Sequence, residues 1–298
     1  AYTGQELETV FFRPMLTGPD AKELGIRIMY NMPVPTTINF WQPQGNILHK
    51  FTSGQWQGSL KHKNYQKTIN LSRVKAEMGY GAENYFNKVF ELITNRPDVN
   101  MGDLSGTELE EAETALFKQS ISESIRLTTW LGDTQSRSAD VELDTFDGII
   151  PRIYRDIQAG EASMKKMTYD AADFDAEQVL KKTWDLSSNQ LKNLKGEGNL
   201  AFFVTSDIYD AYEDSLDNAA LESAFIAKQE GRDGLMYRGI PVIDLKLGGY
   251  LELIEALPPS FVLLTDRRNL VLAVNTADYP GTEVKMWYNP DMMENRQR

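Results

Sequence analysis

A basic segment without acidic residues, close to the start of the chain, is the feature that most constrains how this sequence can fold. Residues 24–76 contain no Asp or Glu but seven Lys and Arg residues. Because the whole chain has a net charge of −12, the residues outside this segment carry −19. A charge run is often only a solvated face. The alternative interpretation is that this segment is a basic extension that docks on the acidic body of another copy of the chain. Complementary charge would then fix the register and orientation of the two copies.

The composition of residues 33–72 favours the docking interpretation. Two strand-like runs, 36–41 and 67–74, are separated by polar turns that contain glycine. Few aliphatic residues are available there to form a core, and a two-stranded extension is only marginally stable alone. Aromatic side chains are enriched at interfaces. We therefore predict intersubunit contacts at Trp41, Trp56, Lys61, Lys63 and Lys67.

The segments on either side of this extension are predicted to differ in character. The apolar residues of residues 1–30 show no sustained period, which indicates an arm that runs over a surface. A helix is predicted over 83–94 and a much longer one over 107–131. The long helix would begin with a capping box, with Thr107 as N-cap and Glu110 at the third helical position. Its predicted apolar side comprises Leu109, Ala112, Leu116, Phe117, Ile121 and Ile125, and Gly132 is placed to end it.

The second half of the chain mixes helices and strands without a regular strand–helix–strand repeat, which favours the α+β class. The predicted elements are a helix over 175–194 ended by Gly196, a strand over 200–205, a helix from Ser206 or Asp207 to Leu216, a strand pair over 235–246 broken at Gly239, a hairpin formed by 261–265 and 270–274, and a last strand over 283–288.

Several chemistries are excluded or disfavoured by residue content. The absence of cysteine excludes disulfides, thiolate metal sites and cysteine nucleophiles. His49 and His62 are the only histidines, so a histidine-rich metal site cannot form within one chain, and both are interpreted as surface or interface residues. Neither a P-loop nor a zinc-protease helix motif is present. We predict no catalytic residue, no cofactor and no metal site.

Two acidic clusters allow a functional and a structural interpretation. Asp140, Glu142, Asp144 and Asp147 could supply oxygen ligands to Ca²⁺, but the EF-hand pattern is absent and the alternation fits an exposed strand equally well. Asp210, Glu213, Asp214 and Asp217 are interpreted as a solvated helix face. The net negative charge of the chain disfavours nucleic-acid binding as its main function, because the phosphate backbone would be repelled. The longest apolar runs are far too short to cross a bilayer.

The order of these parts resembles the Hong Kong 97-type major capsid protein of tailed bacteriophages: an N-terminal arm, an extended two-stranded loop, a long spine helix, then a peripheral and an axial domain. Short phrases carry the resemblance further. They are TFDGIIP at 145–151, NLAFFVTS at 199–206, YRGIPV at 237–242, FVLLTD at 261–266 and NLVL at 269–272.

The resemblance implies a non-enzymatic structural protein that self-assembles into an icosahedral capsid around the phage genome. The implied divisions are an N-terminal arm (1–32), an extended loop (33–75), a peripheral domain (76–160) with the spine helix at 107–131, an axial domain (161–275), and a return to the peripheral domain (276–298). The implied partners are other copies in pentamers and hexamers, scaffolding, portal or decoration proteins, and nearby packaged DNA, with no membrane. Assembly would occur in the host cytoplasm and the product would be a virion.

Three alternatives remain open at the level of sequence. An encapsulin-like nanocompartment would share the fold but enclose a cargo protein instead of a genome. A carboxylate-dependent hydrolase would need two acidic side chains that meet in space, which spacing along 43 acidic residues cannot test. Another virion component, such as a tail or decoration protein, would not explain the long spine-like helix.

Overall fold

The structure, a computed structural model, describes residues 23–30, 36–42, 63–81, 108–135, 143–160, 165–170, 175–218, 234–252, 254, 257–274, 286–292 and 294–298. The strands are β1 (Arg27–Tyr30), β2 (Thr36–Gln42), β3 (Lys63–Ile69), β4 (Met78–Gly81), β5 (Leu200–Val204), β6 (Met236–Tyr237), β7 (Ile240–Asp244), β8 (Val262–Asp266), β9 (Val271–Val274), β10 (Met286–Asn289) and β11 (Glu294–Gln297). The helices are α1 (Glu108–Leu131), α2 (Ile149–Gln158), α3 (Ala176–Leu186), α4 (Asn189–Asn193), α5 (Ser206–Asn218) and α6 (Gly248–Leu251).

A four-stranded sheet in the order β6-β7-β5-β8 forms the centre of the second half of the chain. Strand β5 is apolar and buried along its whole length, and it pairs in parallel with β7 and antiparallel with β8. Successive residues of a strand point to opposite faces, so β5 serves two cores. Phe202 packs with Tyr212 of α5 and with α3, whereas Phe203 packs against Trp130 of α1. The α+β class predicted from the sequence is confirmed.

The long helix is confirmed, but the prediction of its apolar side is wrong in part. Helix α1 runs for 24 residues to Leu131, directly before Gly132. Its C-terminal turns bury Leu127, Trp130 and Leu131 in the core that also contains Phe203. Ile125, assigned to the apolar side, is 46% exposed, while Glu123 and Arg126 are buried. The predicted N-cap, Thr107, lies outside the described residues.

Two glycines allow the end of α1 to pack directly against the start of α2. Gly132 follows α1, and Gly148 immediately precedes α2. The N–H of Gly148 donates a hydrogen bond of 2.6 Å to the carbonyl oxygen of Gly132. A Cβ atom added at Gly148 would lie 2.7 Å from the nitrogen of Gly132 and 2.8 Å from the carbonyl oxygen of Thr128. These distances are shorter than any ordinary carbon contact, so the junction requires glycine.

Strands from the two ends of the chain meet strands of distant segments. Strand β11 lies between β10 and β4 in an antiparallel sheet, so residues near the C-terminus pair with residues 78–81. Strand β1 pairs in parallel with β9. Leu24 and Ile26, just before β1, are 1% and 5% exposed and belong to the core around α1. This part of the predicted surface arm is therefore inserted into the body.

Two predicted strand arrangements are wrong. The second strand of the extended loop was placed at 67–74, but β3 spans Lys63–Ile69 and residues 70–77 form no strand. The hairpin predicted for 261–265 and 270–274 does not form, because β8 pairs with β5 and β9 pairs with β1. A 3₁₀ turn at Arg267–Asn269, capped by the Asp266 side chain, directs the chain from one sheet to the other.

The helix predicted over 175–194 is divided into two. Asp175 caps α3 by accepting hydrogen bonds from the N–H groups of Glu177 and Gln178. Helix α3 ends at Leu186, and Ser188 then caps α4 by accepting a hydrogen bond from the N–H of Leu191 at 3.2 Å.

The remaining predicted strands and helices of the second half agree in position with the structure. Strand β10 falls inside the last predicted strand apart from its final residue. The helix predicted over 83–94 lies outside the described residues.

Candidate intersubunit surface

Strands β2 and β3 form a two-stranded ribbon within the acid-free segment. Seven residues of each strand pair in antiparallel register, from Thr36 opposite Ile69 to Gln42 opposite Lys63. Among the strands that the structure describes, the ribbon pairs with no third strand. The hydroxyl groups of Thr37 and Thr68 lie 3.4 Å apart at an exposed position of this pairing. The ribbon thus has the marginal stability of an isolated hairpin unless a neighbour covers it.

Three of the five predicted contact residues lie on the paired strands of this ribbon. Trp41 is opposite Asn64, and the next pair is Gln42 opposite Lys63. The backbone pairing therefore places Trp41 and Lys63 together at the end where residues 43–62 connect the strands. Lys67 lies four positions nearer the base of the ribbon, opposite Ile38. Trp56 and Lys61, together with both histidines, lie outside the described residues.

Helix α5 carries an acidic surface that could receive such a ribbon. Its thirteen residues include five acidic side chains and no basic one. Of the predicted solvated face, Asp210 and Asp214 are exposed and Glu213 is half-buried, while the side chain of Asp217 lies outside the described part; Asp207 is exposed as well. Partial burial, followed by the negative charges of Asp244 and Glu213, raises the pKa of Asp210. A surface of this kind favours an approaching cation, because like charges within it repel one another.

The first acidic cluster has a structural role at the residue where its contacts are described. Asp147 accepts hydrogen bonds from the N–H and the hydroxyl of Thr134, at 3.1 and 2.8 Å, and pairs with Arg155 at 2.9 Å. These contacts tie the segment after α1 to α2. Asp144 is exposed, and Asp140 and Glu142 lie outside the described residues. Within the part of the chain that the structure describes, no three potential ligands are grouped to hold a metal ion.

The contacts of Asp147 predict a loss of stability in acid. The hydrogen bond from Arg155, followed by those from Thr134, lowers the pKa of Asp147 from 3.8 to about 2. This depressed pKa contributes stability that is complete above pH 4 and is lost as the pH falls through about 2. The shift corresponds to about 2 kcal/mol. Asp147→Asn should lower the free energy of unfolding by that order at pH 7 and flatten its decline between pH 4 and 2.

Urea unfolding followed by tryptophan fluorescence at several pH values would measure this effect. Asp144→Asn is the matched control, because Asp144 is exposed and close in sequence. Equal pH dependence in the Asp147→Asn variant and the unaltered protein would contradict the assignment.

A buried ion pair on α1 was missed by the sequence analysis. The guanidinium of Arg126 donates from Nε to Glu123 at 2.8 Å and from Nη2 to the other carboxylate oxygen. Its Nη1 donates to the carbonyl oxygen of Leu245 at 2.7 Å. The two side chains are only 6% and 9% exposed. The i, i+3 spacing of opposite charges was visible in the sequence, but their burial depends on a carbonyl group 119 residues away.

Among the described residues, no helix has both the length and the apolar character needed to cross a membrane.

No protein-family model and no curated protein matches this chain. Solved structures that are similar to it include two phage capsids. One is the asymmetric unit of the bacteriophage PhiM1 mature capsid, with 13% identity and a TM-score of 0.44 over 91% of this chain and 78% of that chain. The other is the satellite phage P4 procapsid including its size determination protein, with 13% identity and a TM-score of 0.47 over 91% and 80%.

Proposed function

We propose that this chain is the major capsid protein of a tailed bacteriophage, a structural protein that assembles with copies of itself into the shell around the genome. The observation that carries the proposal is the β2–β3 ribbon. The ribbon lies in a segment that has seven basic and no acidic residues, whereas the rest of the chain carries a net charge of −19. A ribbon of this kind gains stability when a second copy covers it, and opposite charge gives the two copies a defined register.

The proposed divisions of the chain are those that the sequence predicts. The ribbon falls within the extended loop, 33–75, and the β5-centred sheet falls within the axial domain, 161–275. The pairing of β4 with β11 supports a return of residues 276–298 to the peripheral domain. The pairing of β1 with β9 supports an anchor that holds the end of the N-terminal arm against the body while the ribbon extends from it.

The proposed partners are other copies of the chain in pentamers and hexamers, together with scaffolding, portal or decoration proteins. The proposed intersubunit contacts are Trp41, Trp56, Lys61, Lys63 and Lys67. We propose no catalytic activity and no cofactor, assembly in the host cytoplasm, and a final location in the virion.

Negative-stain electron microscopy of the purified protein, with light scattering during gel filtration, tests the proposal. We expect closed shells, tubes, or rings of five and six copies, and scattering masses that are multiples of 33.8 kDa. A compact monomer at every protein and salt concentration, also after co-expression with the genes that neighbour its own, would contradict it. Shells that enclose a co-purifying cargo protein would instead support the nanocompartment alternative.

A further inference from the structure

The buried pair Glu123–Arg126 on α1 lies where the helix meets the four-stranded sheet β6-β7-β5-β8. The apolar contact there, of Leu127, Trp130 and Leu131 with Ala201 and Phe203, has no strong directional preference. The hydrogen bond from Arg126 to the carbonyl oxygen of Leu245 is directional, because guanidinium N–H groups lie in a fixed plane. A change in the angle between the helix and the sheet would therefore break this directional bond, in addition to disturbing the packing of Trp130 against Phe203.

Both ends of the Arg126 contact are held firmly. Glu123 accepts two hydrogen bonds from the guanidinium and so fixes the orientation of its third donor edge. Leu245 is fully buried directly after β7, and its N–H donates to the carbonyl oxygen of Val204 at 3.0 Å. The contact thus joins α1 to the ends of β7 and β5.

We propose that Arg126, oriented by Glu123, is a positioning residue that sets the angle between α1 and the four-stranded sheet and thereby the curvature of the assembled shell. This inference rests on the proposed function. In a shell the angle would matter because both α1 and the β5-centred sheet, on which α5 with its acidic surface packs, would face neighbouring copies. Their relative direction would then set how one copy tilts against the next.

Two variants separate positioning from simple stability. Glu123→Met with Arg126→Met removes both buried charges together, which often leaves stability unchanged, whereas removal of one partner is strongly destabilising. Arg126→Lys keeps the charge but lacks the planar fork that serves Glu123 and Leu245 at once. Glu177→Gln with Lys181→Gln is the control, because it removes one negative and one positive side chain, both exposed, from the single helix α3.

The readout is the distribution of particle diameters by electron microscopy, with thermal unfolding measured in parallel. We expect both Arg126 variants to stay folded but to unfold at a somewhat lower temperature, because the buried carbonyl group of Leu245 loses its donor, and to form particles of mixed diameter, tubes or open sheets. The control should form particles of the original diameter. Folded Arg126 variants that all give the original diameter would overturn the proposal.

Hydrogen exchange of unassembled protein keeps the inference testable independently of shell formation. Loosening of the contact should reduce the protection of the Leu245 and Leu251 amides, which donate to the carbonyl oxygens of Val204 and Leu247. Unchanged protection in Arg126→Lys would refute the positioning role. Failure of the unaltered protein to assemble under any condition would count against the proposed function, while this exchange measurement would still decide the role of Arg126.

Discussion

Replacement of Gly148 by alanine is expected to destabilise the fold by roughly 3 kcal/mol or more, because the added methyl group has no space. Its Cβ would lie 2.7 Å from the nitrogen of Gly132 and 2.8 Å from both the carbonyl oxygen of Thr128 and the carbonyl carbon of Trp130. All three are backbone atoms, so no flexible side chain can move aside. The end of α1 and the start of α2 would have to separate, and their 2.6 Å hydrogen bond would be weakened.

Thermal and urea unfolding of purified Gly148→Ala would measure this loss. For a chain of this size, 3 kcal/mol corresponds to a fall in melting temperature of about 5 °C. Gly249→Ala is the matched control, because Gly249 lies in helix α6 with no atom within 4 Å of an added Cβ. The control should be neutral or slightly stabilising, since alanine favours the helix. Equal melting temperatures for the two variants would show that the glycine junction is not tightly packed.

The same junction shows which parts of the fold can be predicted from sequence. Helix α1 and its end at Gly132 could be predicted because periodicity and end signals are local. Strand β5 could be predicted because five consecutive apolar residues are typical of a strand buried on both faces. The phrase that contains Gly148 could be identified by resemblance, but the reason for glycine there required the distance to a backbone sixteen residues away.

Features set by distant partners could not be predicted. Strand β3 begins with the polar sequence KNYQ, which has no apolar alternation, so only its pairing with β2 reveals where it starts. The separation of β8 from β9 depends on β5 and β1, which are far away in sequence. Of the candidate contact residues, Trp41 was predicted on a strand, whereas Lys63 was predicted outside the second strand and lies on β3.

Reversal of charge on the ribbon is expected to abolish shell assembly while the subunit stays folded. Lys63→Glu with Lys67→Glu changes the charge of the acid-free segment by −4, from +7 to +3, and places two carboxylates on β3. Against a body that carries −19, these carboxylates replace attraction with repulsion. Like-charge juxtaposition at an interface costs several kcal/mol, and each copy in a shell forms the contact twice, once with its ribbon and once with its body. The described ribbon residues Thr37 and Thr68, a cross-strand pair next to Lys67, are exposed, so the unfolding temperature should change little.

Light scattering and negative-stain microscopy of the reversed variant should reveal unassembled subunits or small rings where the unaltered protein forms closed particles. Lys181→Glu with Lys182→Glu is the matched control, because it makes the same change in net charge at two exposed positions on α3. The control should assemble, which would separate a specific role of the ribbon from a general increase in negative charge. Assembly of the unaltered protein should also weaken as salt rises from 0.1 to 1 M, since the Debye length falls from about 10 Å to about 3 Å. If the reversed ribbon variant and the control formed the same particles, the docking of the basic ribbon on the acidic body of a neighbouring copy would be wrong.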